Sequence, residues 1–107
     1  MNSPFYNKIK SRRGYMKVHV KVFANLREIC NASVVEVETE SLVVIDILEE
    51  LIKMFPTMED EIFTEERTLK SFVHVFINGH NIIHKDGLLT KINSDDQFAL
   101  FPPVAGG

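Results

Sequence analysis

The sequence predicts an α+β domain in which one mixed sheet of four to five strands packs on one main helix. Three observations support this. Apolar and polar residues alternate in Met16 to Phe23 and again in Val34 to Thr39, the period-two signature of half-buried strands. A single amphipathic stretch follows, with Ile45, Leu48, Leu51, Ile52 and Phe55 at helical spacing. Short β-rich runs separated by turn residues then occupy the C-terminal third.

The first strand spans Met16 to Phe23, with Met16, Val18, Val20 and Val22 on one face and Lys17, His19, Lys21 and Phe23 on the other. Asn25 to Ser33 reads as a turn region, with Asn31 as turn former. The second strand, Val34 to Thr39, buries Val35 and Val37 and pairs with the first as an antiparallel hairpin. The helix is predicted from about Val43 to Phe55, with Ser41 as the only nearby capping candidate and Pro56 as its stop. Residues 57–71 read as acidic and irregular, with a short helical turn near Asp60–Phe63. A third strand, Phe72 to Ile77, ends in the tight-turn pair Asn78-Gly79. Ile82 and Ile83 suggest a short edge strand. Asp86-Gly87 turns the chain, and Leu88, Leu89 and Ile92 plug a core edge. The last strand is Gln97 to Phe101. Neither the sheet nor the helix can bury its apolar face alone, and the order suggests a β-grasp, or ubiquitin-like, domain over 16–101.

The 107 residues suit one domain, 45% hydrophobic and 25% charged, as in globular proteins. The net charge of −3 is unevenly placed: Lys8, Lys10, Arg12 and Arg13 lie in 1–15 without an acid, leaving 16–107 with 8 basic and 15 acidic residues. Residues 1–15 are expected to be a basic, disordered extension, and the acidic remainder disfavours nucleic acid as a partner. No run of about 18 apolar residues or signal-peptide core is present, so neither a membrane nor secretion is expected. The single cysteine, Cys30, fits a reducing cytoplasm and cannot by itself build a metal site.

Conventional catalysis finds little support. His19, His74, His80 and His84 read as solvated surface residues, and Glu59, Asp60, Glu61, Glu65 and Glu66 lack metal-loop spacing. Nothing singles out a base for Cys30. With two of the five glycines at the end of the chain, there is no phosphate-cradling loop. The chain's own terminus offers the alternative. Phe98-Ala99-Leu100-Phe101 runs into Pro102-Pro103, then Val104-Ala105, and ends in Gly106-Gly107. Two glycines minimise width, and the prolines restrict the base of the tail. Residues 102–107 thus read as a flexible tail that threads its α-carboxylate into another protein's site. A carboxylate is a poor electrophile and must be activated, most simply by adenylation with ATP; a sulfur donor then leaves a thiocarboxylate, a lysine amine an amide.

The ending Phe101-Pro102-Pro103-Val104-Ala105-Gly106-Gly107 closely resembles the tail of molybdopterin synthase small subunits, which are ubiquitin-like sulfur carriers. Val22-Phe23-Ala24-Asn25-Leu26-Arg27-Glu28 resembles their first strand and turn. Asp46-Ile47-Leu48-Glu49-Glu50-Leu51, ending at Phe55-Pro56, resembles their helix, and Val75-Phe76-Ile77-Asn78-Gly79 their third strand and its turn. Val43-Val44 departs from the common Thr-Val helix start. The longer 57–71 segment looks like the archaeal branch, which includes small modifier proteins attached to lysines.

The resemblance implies that Gly107 is adenylated and then thiocarboxylated, with Gly106 needed for threading. It implies a ubiquitin-activating-type adenylyltransferase that uses ATP and Mg²⁺, a sulfur donor system, and a molybdopterin synthase large subunit that receives the tail. The sulfur would pass to precursor Z (cyclic pyranopterin monophosphate) to make the dithiolene. The chain itself would bind no cofactor and would not be catalytic alone. Phe23, Phe76 and Phe101 lie on the polar faces of neighbouring strands and are expected to form one partner-binding patch at the root of the tail, joined by Arg27, Pro102, Pro103 and Val104. Other readings are a modifier joined to target lysines through Gly107, a carrier for thiamine or tRNA thiolation, and a passive binding module with an incidental Gly-Gly.

Overall fold

A computed structural model of the chain describes residues 15–103. Five strands, β1 (Met16–Val22), β2 (Val34–Thr39), β3 (His74–Ile77), β4 (His80–Asn81) and β5 (Phe98–Phe101), form one sheet in the order β2-β1-β5-β3-β4. The β1–β5 pair is parallel and the others are antiparallel. Three α-helices accompany it: α1 (Asn25–Cys30), α2 (Val44–Met54) and α3 (Met58–Ile62). This is the β-grasp arrangement that the sequence predicts. Val18, Val20, Val22, Val37, Val75 and Leu100 from the sheet meet Ile47, Leu48 and Leu51 of α2 with essentially no exposure. Alternation explains the sheet half of this core and 3.6-residue periodicity the helix half.

The hairpin register places Lys17 opposite Glu38, an opposite-charge pair on the wet side that favours this register, and His19 opposite Glu36. His19 Nε2 lies 3.4 Å from a Glu36 carboxylate oxygen.

The structure corrects several local expectations. Residues 25–30, expected as a turn, are a one-and-a-half-turn helix that buries Leu26 and Cys30, four residues apart. Asn31 ends it in the left-handed conformation at φ 54°, which asparagine tolerates. Ser41 does not cap α2; the N-cap position is Val43, and the Ser41 hydroxyl donates to Asp46 at 2.6 Å. The start of α2 is held instead by pairing with the 90–92 segment, where Val44 N–H donates to the Thr90 carbonyl and Ile92 N–H to the Leu42 carbonyl. Ile45 and Phe55 are only partly buried, while Ile47 is fully buried. The short helix near Asp60–Phe63 covers Met58–Ile62. The third strand starts at His74 rather than Phe72, and the edge strand is His80–Asn81; Ile82–His84 is a 3₁₀ turn. Leu89 is 70% exposed and plugs nothing, whereas Ile92 is buried. Strand β5 starts at Phe98, one residue after Gln97.

Asn78 and Gly79 both have positive φ, which the tight turn between β3 and β4 requires. Asn78 also ties this turn to the start of β5. Its backbone N–H donates to the Gln97 carbonyl, its side-chain oxygen accepts from Gln97 N–H, and its amide nitrogen donates to Asp96. The backbone N–H of Asn93, then the Asn78 amide, hold the Asp96 carboxyl below its ordinary value. A depressed folded-state value means that the stabilisation is complete above the unfolded carboxylate range near pH 4 and is lost as pH falls below it. Asp96→Asn is therefore expected to lower Tm at pH 7, with the gap to wild type closing below about pH 4; thermal scans across pH check this, and a constant gap contradicts it.

Candidate functional site

The root of the tail is built by three neighbouring strands. Val22 of β1 is paired with Leu100 of β5, which sets Phe23 beside Phe101. On the other side His74 pairs with Phe101, and Phe76 with Ala99. Side chains alternate across a sheet, so Phe101 and Ala99 share the outer face while Phe98 and Leu100 enter the core. The small Ala99 leaves room for Phe76 to lean toward Phe101.

The rings form a column. Phe23 stacks on Phe101 with centroids 4.2 Å apart and planes 9° from parallel, and Phe76 meets Phe101 edge-on at 5.5 Å. The Arg27 guanidinium caps the column 5.2 Å from the Phe23 centroid, and its Nε donates to the Val22 carbonyl at 3.1 Å. Helix α1, which the sequence reading did not foresee, places this arginine. The three rings are half-buried and border a shallow cavity of about 260 Å³ also lined by Lys21, Gln97 and Gly79. Pro102 is buried and Pro103 half-buried, so the chain remains packed against the domain up to the last described residue. Val104, Gly106 and Gly107 lie outside the described residues, as does the expected extension except Tyr15.

The remaining chemical candidates separate clearly. Cys30 is buried, its Sγ 3.6 Å from the Met58 sulfur. Burial pushes the thiol up from its ordinary value, opposite to what a nucleophile needs. Cys30 should therefore resist alkylation near pH 8 in the folded protein and react readily in denaturant; equal rates in both would contradict its packing role. His19 and His74 are exposed on the outer sheet face, and His80 and His84 are exposed on the β4 side. Among the described residues no group of three or more His, Cys, Asp or Glu side chains could hold a metal ion. Of the acidic stretch, Glu59 pairs with Arg67, which also bridges to Glu49 of α2 and lies over the Phe63 ring; this clips the 64–70 loop to two helices. No described helix is long and apolar enough to cross a membrane.

Comparison with known proteins agrees with this geometry. Residues 20–107 match the ThiS family. A protein of Archaeoglobus fulgidus whose name marks it as a candidate sulfur carrier is 28% identical over 92 residues, covering 86% of this chain and all of that protein. The solution structure of small archaeal modifier protein 1 from Methanosarcina acetivorans superposes with a TM-score of 0.73 at 34% identity, covering 87% of this chain and 98% of the other. A candidate molybdopterin converting factor subunit 1 from Pyrococcus furiosus gives a TM-score of 0.64 at 28% identity, covering 83% and 99%. The match over residues 20–107, together with the β-grasp sheet it covers, places this chain in the ThiS family as a ubiquitin-like protein of the sulfur-carrier type.

Proposed function

We propose that the chain is the sulfur carrier subunit of a molybdopterin synthase, with the Gly107 carboxylate as its reactive group. The observation that carries this reading is the junction of β5 with the tail. Phe101 is clamped between Phe23 and Phe76, Pro102 is buried, and the sequence leaves this apolar surface toward Gly106-Gly107. A partner that grips the aromatic column holds the chain a few residues from its reactive end. Burying each ring fully would contribute about 1.5–3 kcal/mol to such a complex, and Arg27 offers its remaining N–H groups to a carboxylate.

The chemistry is group transfer at the terminus. The carboxylate oxygen attacks the α-phosphorus of ATP in the active site of an adenylyltransferase that holds Mg²⁺, releasing pyrophosphate. A persulfide or hydrosulfide sulfur then displaces AMP. Reduction of the persulfide's S–S bond by a thiol, where a persulfide is the donor, frees the thiocarboxylate. The large synthase subunit receives the tail, the sulfur passes to the pterin precursor, and water cleaves the tail's C–S bond, supplying the oxygen that regenerates the carboxylate. The molybdopterin assignment rests on the resemblance of the Phe-Pro-Pro-Val-Ala-Gly-Gly ending and on similarity to the Pyrococcus protein. Similarity to a modifier protein at 34% identity favours a second use, in which a lysine amine of a target protein displaces AMP and leaves an isopeptide bond.

Intact mass measured after incubation with ATP, Mg²⁺, a sulfur source and the adenylating enzyme tests the carrier reading. A gain equal to exchange of one oxygen for sulfur supports it, and an unchanged mass beside an active enzyme overturns it. Dithiolene formation on adding the large subunit tests the pterin step. Trypsin's last site in the chain is Lys91, so target lysines carrying residues 92–107 after digestion would support the modifier use.

A further inference from the structure

A second apolar surface flanks the root of the tail. Residues 68–74, 81–83, 87 and 88 enclose a groove of about 370 Å³. Its apolar lining includes Phe72, 75% exposed, Ile83, 72% exposed, and the partly buried Leu88. Phe72 occupies an unusual backbone position. Val73 N–H donates to the Lys70 carbonyl, closing a turn in which Phe72 is the third residue, at φ 70°. That position favours glycine or asparagine, and a bulky residue there is strained. The turn thus holds an aromatic ring in water at a conformational cost, with little packing to offset it.

The groove also adjoins the end of β5. His74, which lines the groove, is paired with Phe101, the last residue of that strand. The His74 ring stands edge-on to Phe76 at 6.3 Å. The groove and the aromatic column therefore meet at one side chain and border the tail root together. The charge is distinctive. No acid is among the residues lining the groove, although 16–107 carries 15 acids against 8 bases. Lys70 stands at its rim, anchored through one ammonium N–H on the Asp60 carbonyl.

We propose that this groove is a docking site for an apolar segment bearing carboxylates on the enzyme that adenylates the tail, with Phe72 and Ile83 as anchors and Lys70 as the charge partner. The inference rests on the carrier reading above. It deepens that reading by giving the activating enzyme a contact distinct from the aromatic column. The strain at Phe72 is then retained for recognition rather than for folding.

Steady-state adenylation of the full-length chain by its adenylating enzyme, followed by pyrophosphate release, tests this. The variants are Phe72→Asn, Phe72→Asn/Ile83→Ser, Lys70→Gln, Lys70→Arg and deletion of Gly107. Asparagine accepts the left-handed position, so Phe72→Asn should keep Tm or raise it by a few degrees. The double variant should raise KM for the carrier on the order of 10–100-fold at nearly unchanged kcat, the factor expected when one exposed ring no longer becomes buried. A smaller rise, reversed by Lys70→Arg, is expected for Lys70→Gln. Unchanged KM with the fold intact overturns the proposal. A fall in KM overturns it in favour of the chain's own tail as occupant, and a wild-type dimer in sedimentation that Phe72→Asn dissolves overturns it in favour of a second copy. Turnover by the Gly107-deleted chain would sink the carrier reading itself, whatever the groove variants do.

Discussion

Deleting Gly107 alone should abolish the oxygen-for-sulfur mass gain while leaving Tm unchanged. On the carrier reading the large effect follows from chemistry, since the deletion moves the proposed reactive carboxylate one residue back. One lost residue shortens an extended chain by about 3.3 Å, and a displacement of about 1 Å can already cost on the order of a hundredfold in a positioned reaction. The small effect follows from packing, since among the described residues the hydrophobic core runs from Val18 to Leu100. Coupled mass and thermal measurements on the same sample separate the two. A retained gain would overturn Gly107 as the required reactive end, and a large drop in Tm would mean that the tail also supports the fold.

Phe98→Ala should cost about 3–5 kcal/mol of folding free energy. Phe98 is 1% exposed, and its strand lies between β1 and β3, where it is paired with Val20 and Ile77. Truncation leaves a cavity at the centre of the sheet that neighbours on both sides cannot fill without moving. A domain of this size has roughly 5–15 kcal/mol in total, so the loss is a large share. Urea unfolding gives the value directly, and a change below about 1 kcal/mol would contradict the assignment of Phe98 to the core. The consequence reaches function because the same strand carries Phe101 and the tail. Phe98→Ala should reduce thiocarboxylate formation in step with the unfolded fraction and recover on cooling, unlike deletion of Gly107, whose loss is independent of temperature.

The β1–β2 hairpin, α2 and the Asn78-Gly79 turn were legible because each depends on local periodicity or on one backbone conformation. The clustering of Phe23, Phe76 and Phe101 was also open to sequence reasoning, since alternation fixes the face of each ring once the strand order is assumed. Helix α1 was not legible, because six residues without a side-chain cap carry almost no helical signal of their own. It forms because Leu26 and Cys30 find a hydrophobic core already built by distant strands. Its consequence, the seating of Arg27 on Phe23, was therefore hidden as well. Ile82 and Ile83 look alike in sequence, yet one is 3% and the other 72% exposed, a difference set by how the chain turns after a two-residue edge strand.

By itself the sequence determined the class of fold and the inward and outward faces of the main strands. These depend on residue type and short-range spacing, which the chain carries wherever it is placed. Only the tertiary structure decided that Arg27 caps the aromatic column, that Cys30 is sealed against Met58, and that Phe72 stands exposed beside the root of the tail. Those outcomes depend on contacts between residues far apart in sequence and on a positive φ at a residue that rarely adopts one, and they exist only once the sheet has closed around α2.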